Sequence, residues 1–128
     1  AADAIDRGDF DAAADAYRSI LTEAPSDPDA TAGLAQVELL RRVTTADPAL
    51  LARAAADPAD VDAACAAADA EVAAGDLDAA FARMVEVVRL SAGAERTTAR
   101  EHLIGLFDLV GDDPRVANAR VALANALF

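Results

Sequence analysis

The feature that most limits what this chain can become is a hexapeptide that occurs twice, GDFDAA at residues 8 to 13 and GDLDAA at residues 75 to 80. The copies stand 67 residues apart. That is close to two periods of about 34 residues, so one divergent unit of the same kind is expected between them. A chain repeating at this interval builds pairs of helices that bury their apolar faces only by stacking on the next pair. Within each copy the glycine, Gly8 or Gly75, can take a positive φ and end one helix, while the aspartate behind it, Asp9 or Asp76, can cap the next. These four residues are read as structural turns inside helical hairpins. After the turn, Ala13, Tyr17, Ile20 and Leu21 recur as Ala80, Met84, Val87 and Val88. That i, i+4, i+7, i+8 spacing is one buried helix face.

Punctuation elsewhere agrees with helices. Asp-Pro pairs begin at 27, 47, 57 and 113, and proline at the first helical position behind a capping aspartate is a start signal. Helices are expected over 1–7, 10–23, 28–43, 48–56, 59–74, 76–91, 94–110 and 114–127. Hydrophobic residues make up 55% of the 128, but aromatics only 4%, because alanine dominates. Alanine favours helices and lets their axes approach closely, and strand-forming side chains are scarce. Leu34 and Ala35 stand where a helix-pair repeat wants a large residue beside a small one, and Ala67 and Ala68 occupy the matching places later. The pattern resembles the tetratricopeptide repeat, although its signature tryptophan is missing and the middle unit has a short second helix. The fold expected is all-α: a right-handed stack of antiparallel helix hairpins, seven to eight helices, in a single domain over residues 1–128.

Charge narrows the partners. A formal net charge of -12, with all eleven basic side chains arginine, opposes nucleic acid, whose binding needs clustered cations to displace counterions. The same charge disfavours an anionic membrane surface, and no apolar run is long enough to span a bilayer. Cys65 is the only cysteine, so no internal disulfide can form and a cytoplasmic setting is expected. The chain opens at Ala1 without methionine or a leader-like segment, which reads as a piece of a longer protein.

Signatures of chemistry are missing. There is no GxSxG, HExxH or CxxC, and His102, the sole histidine, has no partner that sequence can assign; it is expected to be a partly exposed helix residue. The acids Asp69, Glu71, Asp76 and Asp78 lack the glycine of a calcium loop and are read as a solvated face. Repeat phase sets Asp29, Gln36, Leu39, Asp62, Cys65 and Asp69 on the inward side, where Cys65 is a small buried residue quietened by the acids near it. Without lysine, that side is not expected to clamp a peptide carboxylate. No enzyme activity, cofactor, metal or small-molecule substrate is expected.

The final helix carries two apolar stripes, Val116, Ala119, Leu123 and Leu127 on one side and Ala117, Val121, Ala124 and Phe128 on another. One stripe suffices to dock it. The second is the candidate protein-binding surface.

Two segments carry a closer resemblance: PADVDAACAAADAEVAAGDLDAAFARMVEVVRL from 58 to 90, and HLIGLFDLVGDDPRVANARVALANALF from 102 to 128. They resemble the C-terminal tetratricopeptide-like domain of thioredoxin-like co-chaperones, the YbbN-type co-chaperedoxins. The most specific part is the ending, with Leu106, Phe107, Leu109, Gly111, Asp113, Pro114, Val116, Arg120, Leu123, Ala124, Ala126, Leu127 and Phe128. One residue, rather than the family's two, separates Gly111 from Asp113. The resemblance implies a cytoplasmic parent with an N-terminal thioredoxin fold, which holds unfolded clients and associates with a GroEL-type chaperonin. The alternatives are a generic tetratricopeptide scaffold in a bacterial assembly unrelated to protein folding, and an accessory domain that positions an enzyme.

Overall fold

The computed structural model describes residues 9–128, and every regular element in that span is an α-helix. In chain order they are α1 (Phe10–Glu23), α2 (Pro28–Thr45), α3 (Pro48–Ala56), α4 (Val61–Ala73), α5 (Leu77–Leu90), α6 (Gly93–Val110) and α7 (Pro114–Leu127). The helix expected over 1–7, and Gly8 with it, lie outside the described residues. Three expected helices, 10–23, 48–56 and 114–127, keep their bounds.

Capping explains where most helices start. Asp9, Asp47, Asp60, Asp76 and Asp113 each accept a backbone N–H of the following turn on a side-chain oxygen. The start of α4 differs from expectation because two aspartates share the work there. Asp57 accepts from Ala59 N at 3.0 Å and closes a turn around Pro58, and only Asp60, accepting from Ala63 N at 3.1 Å, caps the helix. The helix therefore begins at Val61 rather than 59. Gly75 has φ +85 and behaves as the repeat requires. Its N–H donates to Val72 O, and that of Asp76 donates back to Glu71 O, so two carbonyls at the end of α4 are satisfied.

The helices gather into two compact units divided between Thr45 and Ala46. In the first, α1 packs on α2 around Ala13, Ala14 and Val37, with Phe10, Tyr17 and Leu34 partly buried against them. Gly33 sets the closeness of that pairing, since a Cβ there would lie 2.4 Å from the Tyr17 ring.

In the second unit α5 is central and packs against α4, α6 and α7, while α3 packs on α4. Its largest buried side chains include Phe107, Met84, Leu103, Leu106, Val87 and Val88. Phe81 meets Phe107 edge to face at 5.1 Å between centroids, and the Arg120 guanidinium lies 4.9 Å from the centre of the same Phe107 ring. Burying each of these apolar side chains contributes roughly 1.5–3 kcal/mol, so the few large residues carry the core that alanine cannot. Ion pairs fasten the edges: Arg83 of α5 holds Glu71 of α4 at 2.7 Å, and Arg53 of α3 holds Asp60 at 3.0 Å.

Candidate protein-interaction surface

α7 is set in place by its first residues. Pro114 occupies the first turn behind Asp113, whose Oδ1 accepts Arg115 N at 2.8 Å. The Arg115 guanidinium folds back onto the same carboxylate at 3.1 and 2.9 Å, and these bonds hold the Asp113 carboxyl below its ordinary range. Gly111, at φ +81, closes α6 just before. Thus anchored, α7 lies along α5 and buries Val116, Ala119 and Leu123, with Leu127 half-buried. The first stripe is the docking face.

The second stripe faces outward. Ala117, Val121, Ala124 and Phe128 are all exposed, Val121 by 63% and Phe128 completely. At about 100° per residue a single helix cannot bury both stripes against one flank. The result is an apolar strip on a fixed helix, which can take up an apolar partner but offers no group for bond chemistry.

The inward side of the second unit differs from the sequence reading. Asp69, expected on a solvated face, is only 3% exposed, and His102 Nε2 donates to its Oδ1 at 2.8 Å, joining α4 to α6. Cys65 stands one turn before Asp69 on α4 and is half-buried. Burial disfavours the charged ring, but the bond to Asp69, with a further contribution from Cys65, outweighs it and raises His102 from 6.5 to about 9. At neutral pH the pair is therefore imidazolium and carboxylate. His102 is partly exposed as expected, yet it has the partners that sequence did not assign. A signal existed: the two residues are 33 apart, about one repeat, which sets them at matching places on successive first helices.

Other readings also change. Glu71 is half-buried on Arg83, leaving Asp76 and Asp78 as the exposed members of the acidic stretch. Of the inward positions, Leu39 is core, whereas Asp29, Gln36 and Asp62 are exposed. Among the described residues, no group of three or more His, Cys, Asp or Glu side chains is arranged to hold a metal ion, and no helix is long and apolar enough to cross a membrane.

The tetratricopeptide repeat model matches residues 41–128, more than half of the chain. The chain belongs to the tetratricopeptide repeat family. Its curated relatives include proteins from Mycobacterium bovis (strain ATCC BAA-935 / AF2122/97) and from Mycobacterium tuberculosis strains CDC 1551 / Oshkosh and ATCC 25618 / H37Rv, each named as uncharacterized. Each is 42% identical over 125 residues, 97% of this chain and 41% of the relative. The tetratricopeptide chain thus spans about two fifths of the length of these relatives. No solved structure matches it significantly. Proteins of this family present helical surfaces to other proteins, and protein binding is the function class to which this chain belongs.

Proposed function

We propose that this chain is the protein-interaction domain of a cytoplasmic thioredoxin-like co-chaperone, a non-catalytic module that binds a GroEL-type chaperonin, unfolded clients, or both. The observation that carries the reading is the exposed strip of Ala117, Val121, Ala124 and Phe128 on a helix whose other stripe is buried. An apolar strip held open in this way suits non-native chains and apolar chaperonin surfaces, which need contact area rather than a shaped pocket. The resemblance of residues 58–90 and 102–128 to co-chaperedoxins supplies the class of partner. Net charge -12 keeps such a domain dispersed and turns nucleic acid away.

The test is Val121→Ser with Phe128→Ser in the full-length protein. Both side chains are exposed, so melting should stay within about 0.5 kcal/mol of the parent. Co-elution with a GroEL-type chaperonin should fall at least about tenfold, a loss of roughly 1.4 kcal/mol in binding. Retained association in the folded variant would end the proposal. Full-length protein with no thioredoxin fold and no chaperonin association would leave the generic scaffold as the better reading.

A further inference from the structure

On the other side of α7 lies a second surface, a groove of about 400 Å³ between α5 and α7. Phe81 and Val85 line it from α5, and Ala119 and Ala122 line it from α7, with exposed Ala82 at its edge. Charged side chains stand around this apolar lining, Asp78 and Glu86 on α5 and Arg115 on α7. At about 100° per residue, Arg115, Asn118, Ala119 and Ala122 face roughly 140° away from the Val121 and Phe128 strip. The two surfaces are independent.

Shape and charge together describe an occupant. Asp78 and Glu86 are eight residues apart on α5, about 12 Å along the axis, and the α7 wall from Arg115 to Ala122 is of similar length. The groove is therefore about two helical turns long. Alanine on both walls lets another helix axis approach closely, and a helix meets such a groove through apolar residues at i, i+3 or i+4, and i+7. The charges are unequal. Arg115 is chelated by Asp113 and Arg89 holds Glu86, so these two arginines face three carboxylates, Asp78, Glu86 and Asp113, and the rim is left negative. The whole chain, at -12, reinforces that field.

From this complementarity we infer that the α5–α7 groove binds a cationic amphipathic helix of a partner protein, with apolar residues in the groove and lysines or arginines beside Asp78 and Glu86. An acidic helix of the same apolar pattern is repelled.

The experiment uses the 128-residue chain and a synthetic 16-residue helical peptide of leucine, alanine and lysine, its leucines spaced for two turns. Its counterpart carries glutamate in place of lysine. Affinity is read by fluorescence anisotropy at several salt concentrations. The lysine peptide should bind and the glutamate peptide should not. Filling the groove with Ala82→Leu and Ala122→Leu leaves the net charge unchanged and should weaken binding about tenfold. Asp78→Asn with Glu86→Gln should weaken it roughly threefold and flatten the salt dependence. Val121→Ser with Phe128→Ser should leave it unchanged, which separates this inference from the co-chaperone reading. Equal binding by the groove-filled chain would mean diffuse attraction to an acidic protein and overturn the inference, as would no binding of the lysine peptide at low salt. If the filled variant does not fold, the decision passes to the charge pair: unchanged affinity and salt dependence there also overturn it.

Discussion

Helices α1 and α5 are the two copies of one motif and differ little locally. Each has 14 residues and starts behind an aspartate of nearly the same backbone geometry, φ -89 and ψ 78 at Asp9 against φ -91 and ψ 72 at Asp76. Their buried faces nevertheless part company. Ala80, Met84, Val87 and Val88 of α5 are fully buried, whereas of the four matching positions in α1 only Ala13 is. Tyr17 and Leu21 are half-buried, and Ile20 is 44% exposed. The cause is the number of neighbours: α5 is enclosed by α4, α6 and α7, whereas within its own unit α1 packs on α2. An apolar residue at the right phase becomes core only where another helix arrives to cover it.

The contrast can be tested by matched substitutions. Met84→Ala should lose about 2–5 kcal/mol in chemical denaturation, while Ile20→Ala should change stability by less than about 0.5 kcal/mol. Similar losses at both sites would erase the distinction. A second difference is electrostatic. Asp69 is buried on His102, but the matching position one repeat earlier, 33 residues back on α2, is exposed Gln36. Because the folded His102 pKa is raised, its stabilisation is complete below about pH 6.5 and is lost as pH rises through about 9. The shift corresponds to about 3 kcal/mol, which stability curves at pH 6 and pH 10 should reveal and His102→Gln should abolish.

Gly33 sharpens the comparison from the other side. It stands against the ring of Tyr17, the bulkier counterpart of Met84. Gly33→Ala forces a methyl toward the Tyr17 ring and should cost about 1–3 kcal/mol despite alanine's better helix propensity. A neutral or stabilising result would mean that the α1–α2 pairing is loose. A smaller effect than at Gly33 is expected at Gly75, where a Cβ would meet nothing within 4 Å and only the positive φ penalises a side chain. Gly75→Ala should cost about 1 kcal/mol and leave partner association intact. If binding were lost without loss of stability, the turn would be functional.

How far the molecule was legible follows from the range of each interaction. The sequence by itself determined the helices and their caps, because a capping aspartate acts on N–H groups two or three residues ahead: Asp9, Asp47, Asp76 and Asp113 behave as their positions dictate. It also determined that α7 carries two apolar stripes, since their separation is a property of one helix. Only the tertiary structure decided which stripe of α7 is covered, that Ile20 is exposed while Val87 is buried, and that Leu39 is core rather than lining. It likewise decided that Asp69 pairs with His102 instead of facing water. Burial and protonation are set by whatever stands across the helix interface, here a residue 33 positions away, and no local rule contains that neighbour.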